Sequence, residues 1–175
     1  MSPPPSRRLD RVLAVGLALF TIAEVNYPQL SRQGELAVFA GVGLVLCFLR
    51  VPAWRGRPGL RGLRWLDRGL AAASALTCGY VLVQSEPLFE RWWSGAASLG
   101  DRAGAETRLD LVVGGVGLIL VLEATRRTLG PALPLLAVAF LAYAHLGPSL
   151  PGWLFPHRGY GAERIVAQTF LHSQG

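Results

Sequence analysis

The 175-residue chain contains no lysine, its 17 basic residues being arginine throughout. That absence excludes a P-loop lysine on a nucleotide phosphate and a lysine Schiff base. Cysteine is almost as scarce. Cys47 and Cys78 each lie inside an apolar run, so a disulfide-stapled secreted domain is excluded and both read as packing residues of a lipid phase. No His-Glu-x-x-His, Cys-x-x-Cys or Gly-x-Ser-x-Gly occurs. His145, His157 and His172 stand 12 and 15 residues apart, which is no ligand pattern, and His145 reads as an interfacial residue. No nucleophile and base pair can be placed. The expectation is a protein that is not an enzyme and holds no metal or cofactor.

Charge itself is sparse, at 16% against 51% hydrophobic residues, with a mean hydropathy of +0.38. Residues 128–157 form a run of 30 without Asp, Glu, Lys or Arg, centred on Pro134-Leu-Leu-Ala-Val-Ala-Phe-Leu-Ala-Tyr-Ala144. Such a run has no polar face to turn toward water and belongs in a bilayer. Before it stands a charged collar, Glu123-Ala-Thr-Arg126-Arg127, closed by Gly130-Pro131, as a helix ends at a membrane surface. The net charge of +6 does not indicate nucleic acid as a partner, because the arginines sit between apolar segments and no binding motif accompanies them.

Five apolar runs predict an all-α polytopic membrane bundle, four spans plus a connecting fifth: residues 12–31, 36–49, 69–85, 111–122 and 129–146. The first contains Glu24 and ends near Pro28. The second, 14 residues long, reaches spanning length if Arg50 snorkels and residues 51–54 join it. The fourth has 12 residues, and either spans with Glu123 and its arginines at the headgroups or lies as an interfacial helix. The basic start and apolar run of residues 1–23 resemble a signal peptide, yet Thr21-Ile-Ala23 is a poor cleavage site.

Arginine placement sets the expected orientation. With the N-terminus cytoplasmic, 11 arginines fall inside and 6 outside, as the positive-inside rule favours. The loop 86–110, with five acids and the Trp92-Trp93 pair, then lies outside. The loop 50–68, rich in arginine and holding Trp54 and Trp65, reads as a topology determinant that also attracts anionic membrane lipid.

Acids in or beside a span are functional candidates by default, which singles out Glu24 and Glu123. Arg126 and Arg127, at i+3 and i+4 from Glu123, make a helix-surface ion pair at the cytoplasmic boundary the simplest account of that acid. Glu24 either reaches the headgroups, meets a polar group on a neighbouring helix, or belongs to a proton or sodium path. Small residues recur at helix-packing spacing, as in Gly69 and Ala73, Ser74 and Cys78, Ala75 and Gly79, and the cluster Gly114-Gly115-Val-Gly117. Near the end, Ile165, Val166, Thr169 and Phe170 share one face of a short amphipathic helix, and the chain stops at His172-Ser-Gln-Gly175 without a terminal signal, which predicts continuation in a longer relative.

Taken in order, Leu122-Glu-Ala-Thr-Arg-Arg-Thr-Leu-Gly130, Ala132-Leu-Pro134, Ala139-Phe-Leu-Ala-Tyr143, Gly147-Pro-Ser-Leu-Pro-Gly152, His157-Arg-Gly-Tyr160 and Glu163-Arg-Ile-Val166 resemble the N-terminal part of the fused membrane permease of tripartite ATP-independent periplasmic (TRAP) transporters, in which a four-helix small portion joins a twelve-helix large one. The resemblance implies a small-subunit-like membrane domain over residues 1–128, a connecting helix and outer loop over 129–157, and an amphipathic segment over 158–175 leading toward a transport domain. It implies a bacterial inner membrane location, and as partners a large permease domain or subunit and a periplasmic solute-binding protein of the TAXI type. The portion that transports solute on an ion gradient would then lie outside this chain, which would serve as its scaffold.

Overall fold

Capping residues decide where the helices begin and end. The computed structural model describes residues 5–53 and 61–172; Trp54, Arg55 and Arg57 of the arginine-rich loop and the end at 173–175 lie outside the described residues. Five long helices carry the fold: α1 (Pro5–Asn26), α2 (Arg32–Arg50), α3 (Arg61–Ser85), α4 (Arg108–Leu129) and α5 (Ala132–Leu146). The Ser31 hydroxyl accepts the Gly34 N–H to start α2. Thr107 and Asp110 form a reciprocal capping box at the start of α4, which ends at Gly130 with φ +90, a left-handed value that glycine reaches without a Cβ penalty. No strand occurs among the described residues, so the all-α expectation holds.

Among the described residues, three helical segments are long and apolar enough to cross a membrane: Arg32–Arg50, Arg64–Ser85 and Ala132–Ser149. The five expected spans thus reduce to three on length and composition. Helices α1 and α4 have the length, 22 residues each, but carry at least three charged residues in any 18-residue stretch. The first run also stops short of Ser31, because the helix gives way at Asn26 to a turn through Pro28.

The bundle is built around the α2–α3 pair. A Cβ on Gly41 would lie 2.9 Å from the Cys78 Cβ, so the two backbones approach as closely as small residues permit. Around this contact Leu44, Phe48, Ala71, Cys78, Leu120 and Ala124 make one core cluster across α2, α3 and α4. A second, nearer the loop that precedes α4, joins Ala37, Val81 and Leu99 to Ala167 and Leu171. The two cysteines remain free thiols in this packing.

After α5 the chain turns back on itself. The Tyr160 N–H donates to the Ala144 carbonyl (2.9 Å), the His157 N–H to that of Gly147 (3.2 Å), and the rings of His145 and His157 bond the Tyr160 and Tyr143 carbonyls. This hairpin returns α6 (Ala162–Val166) onto α4. The expected amphipathic face is altered there. A π-type turn, Ala167–Leu171, closes with the His172 N–H on the Ala167 carbonyl, and the extra residue turns Ala167 and Leu171 inward while Thr169 faces out. Gly114 and Gly117 of the glycine cluster receive this segment: a Cβ on Gly114 would meet Val166 at 2.9 Å, and one on Gly117 would overlap the Phe170 ring. Gly115 faces open space.

Replacing Gly41 by leucine forces α2 and α3 apart and is expected to cost about 3 kcal/mol. Gly43→Leu, where a Cβ meets nothing within 4 Å, is the matched control. Thermal unfolding of both variants in detergent, with wild-type stability for Gly41→Leu as the contrary result, checks this contact.

Candidate functional site

The charged collar expected at the end of α4 is one of two polar clusters at the ends of that helix. Its helical register brings Glu123 beneath both arginines: Arg126 Nε donates to Glu123 Oε2 at 2.7 Å, and Arg127 Nε to Oε1 at 2.8 Å. Arg126 remains half exposed, whereas the Arg127 side chain is completely buried. A buried guanidinium needs counter-charge in place. It receives it from Asp67 of α3, bonded to Arg127 Nη1 at 2.7 Å, and the same nitrogen donates to the Val51 carbonyl beyond α2 at 3.0 Å. The Phe48 ring lies under the guanidinium, 4.8 Å from its centre. Two arginines and two carboxylates sum to zero charge where α2, α3 and α4 meet.

A second cluster occupies the opposite end of α4. Asp110 is wholly buried; its Oδ1 accepts the Tyr80 hydroxyl at 2.6 Å and faces Arg102 Nη2 at 3.4 Å, while Oδ2 accepts the Thr107 N–H at 2.7 Å. Arg102, itself buried, also donates to Ser94 Oγ and Gln84 Oε1, both at 3.1 Å, and its Nε has no partner among the described residues. Gln84 further binds the loop by its amide, donating to the Trp92 carbonyl at 3.0 Å. The loop 86–110 is therefore folded onto the bundle, with Leu99 fully buried beneath it. Its Glu106 carboxylate accepts from the Gly104 N–H and pairs with the His172 ring at 2.8 Å. Burial pushes that carboxyl up, and the bonds from Gly104 and His172 more than offset it, so the net shift is downward.

Glu24 is placed elsewhere. Its Oε1 accepts the backbone N–H groups of Gln29 and Leu30, each at 2.8 Å, which closes the turn between α1 and α2. The expected polar group on a neighbouring helix is not what meets it: its partners are backbone N–H groups of the turn that follows α1. Glu123, Arg126 and Arg127 are brought together; Glu24 is not joined to them. Glu86, at the opposite mouth of α3, caps α2 from outside by accepting the N–H and hydroxyl of Ser31 at 2.8 and 2.6 Å.

Sequence reasoning missed Asp67, Glu86, Arg102 and Asp110. For Asp110 the signal existed in the Thr107-x-x-Asp110 capping pattern, and for Asp67 in its being the lone acid of the arginine-rich loop. Among the described residues, no group of three or more His, Cys, Asp or Glu side chains is placed to hold a metal ion. The clusters hold helix ends together; each carboxylate is engaged by fixed donors.

Asp67→Ala leaves buried Arg127 with one carboxylate fewer and is expected to cost about 3 kcal/mol, against less than about 0.5 kcal/mol for the exposed Glu90→Ala. Equilibrium unfolding of both variants measures the difference. No family model, curated protein or solved structure matches the chain.

Proposed function

We propose that this chain is the membrane scaffold portion of a TRAP-type secondary transporter permease, supporting ion-gradient-driven solute uptake without transporting alone. The observation that carries the reading is the state of α5. Its apolar stretch is only 11% buried, and it packs on α4 and α6 while Leu135, Val138 and Phe140 stand exposed along it. A helix apolar all round is stable only against lipid or another membrane domain. The ordered motifs from Leu122 to Val166 that resemble the TRAP fused permease lie on this helix and on its flanks.

In this reading α1 and α4 also span, giving four helices and a connecting fifth. At 22 residues each extends about 33 Å, enough for a hydrocarbon core of about 30 Å. Each presents an apolar strip outward, Val12, Val15, Leu19 and Ile22 on α1 and Leu109, Val112, Val116 and Ile119 on α4. The N-terminus is cytoplasmic, the membrane is a bacterial inner membrane, and the Arg102–Asp110 end faces the periplasm, where the solute-binding protein docks. Engaged acids in both clusters suit a part that braces rather than one that passes ions.

A larger permease is expected to copurify with the tagged chain from its native membranes, in a complex several-fold heavier than 18.8 kDa on a native gel. The double substitution Leu135→Ala and Phe140→Ala is expected to weaken that association at least tenfold while leaving membrane insertion intact. Isolation of a lone, stable oligomer with no permease would overturn the proposal and favour the second reading, a membrane assembly protein unrelated to transport, for which the same bare α5 surface is the supporting observation.

A further inference from the structure

The charge-free run 128–157 is longer than the helix it contains. Helix α5 accounts for 15 of its 30 residues, and the uncharged chain continues through residues 147–157 without forming a further span. That stretch is tied back onto the end of α5. Pro148 has no N–H to give the Ala144 carbonyl, and the Tyr160 N–H takes its place at 2.9 Å. The His157 N–H bonds the Gly147 carbonyl and its ring the Tyr143 carbonyl, while the Tyr143 hydroxyl donates to the carbonyls of Leu154 and Phe155 at 3.3 and 3.2 Å. Tyr143, Ala144 and Gly147 all fall inside Ala132–Ser149, the segment apolar enough to span. The loop is therefore fixed at the level where that span ends.

Its chemistry suits that level. Irregular backbone beside hydrocarbon needs its polar groups satisfied from within. Pro148, Pro151 and Pro156 carry no donor, the Leu150 and Leu154 N–H groups bond the Gly147 and Pro151 carbonyls, and the Gly159 N–H bonds His157 Nδ1. The large side chains the loop turns outward are apolar: Trp153 is 76% exposed and Phe155 81%. Phe155 has φ +51, a left-handed value that an L side chain adopts only at a cost, and the two bonds from Tyr143 hold the peptide carbonyls on both sides of it. The strained turn brings nothing apolar into the protein; it sets an aromatic ring outside.

We infer that residues 150–157 form an interfacial anchor, seated at the boundary between headgroups and acyl chains with Trp153 and Phe155 inserted among the lipid. A second turn supports lipid over a protein partner. Leu88 and Trp92, on the turn that follows α3, are likewise exposed at the same end of the bundle. Helix α5 packs on α4 and α6 rather than on α3, so the two turns stand apart around that end, as an aromatic belt does and a single docking patch does not. The anchor fixes the level of α5 in the bilayer. The inference rests on the chain's lying in a membrane and is independent of any role in transport.

The test is power-saturation electron paramagnetic resonance on the full chain in phosphatidylethanolamine–phosphatidylglycerol vesicles, with Cys47 and Cys78 replaced by alanine. Nitroxide labels are placed singly by Trp153→Cys, Phe155→Cys, Phe140→Cys on the apolar length of α5, and Ala103→Cys in the exposed loop before α4. Labels at 153 and 155 are expected to be relaxed by oxygen about threefold more than by a water-soluble nickel complex, within about 10 Å of the headgroups, with Phe140→Cys deeper and Ala103→Cys open to nickel. Nickel access at 153 and 155 with 140 still protected would place the loop in water and overturn the anchor; nickel access at 140 as well would instead remove the membrane reading beneath it. Protection from both reagents at 153 and 155 would mean a protein cover, a second copy of the chain, and would also overturn it. Should the labels disturb the turn, native Trp153 in a chain whose other tryptophans are phenylalanine answers the same question: quenching by lipids brominated on the acyl chains is expected, and quenching by aqueous acrylamide alone would contradict the anchor.

Discussion

A guanidinium buried where three helices end must be neutralised where it stands, and the arrangement of α2, α3 and α4 depends on how Arg127 achieves this. Its carboxylate partners come from two helices and its carbonyl partner from beyond the end of a third. Leaving any of them out would strand charge in a low-dielectric interior, a penalty of several kcal/mol. The result constrains geometry: α3 has to enter with Asp67 facing α4, and α2 has to end with Val51 over the same group. Phe48 beneath the guanidinium carries the constraint into the apolar core, where Leu44, Ala71 and Ala124 continue the packing.

The far end of α4 follows the same logic with different chemistry. There the buried acid is Asp110 and the loop supplies the cation, Arg102, so that a connection of more than twenty residues is held against the bundle by its own polar groups. Gln84 ties both sides of the cluster to α3. Burial of Leu99 and the return of Ala167 and Leu171 complete an apolar lid beneath these bonds. Helix α4 is thus clamped at both ends, while its middle is left to glycine-mediated packing with the C-terminal segment.

Between these fixed ends, α5 and α1 are attached differently. Helix α5 hangs from a Gly-Pro break and makes few contacts with the rest, which is why a bracing role against a second membrane body fits it. Helix α1 is joined through the Glu24-closed turn and leaves a gap beside α3. A tightly held α2–α3–α4 core with two lightly held helices suits a part that keeps its own shape while meeting lipid and neighbours on its flanks.

The sequence by itself determined the helical class, the apolar runs and the breaks between them, because hydropathy, prolines and caps act over a few residues. The Glu123–Arg126–Arg127 pairing was legible for the same reason, since i+3 and i+4 neighbours meet in any α-helix. Only the tertiary structure decided that Arg127 is buried and that Asp67, sixty residues away, answers it. Likewise Glu86 reaches Ser31 across 55 residues, and Glu24 turns to its own hairpin. Which distant groups meet depends on helix crossing and on where small residues such as Gly41 admit close approach, and no local pattern carries that information. The π-type turn before His172 shows the same limit: one extra residue turns Thr169 out of the face that periodicity assigns and brings Ala167 and Leu171 in, while Val166 and Phe170 stay packed on Gly114 and Gly117.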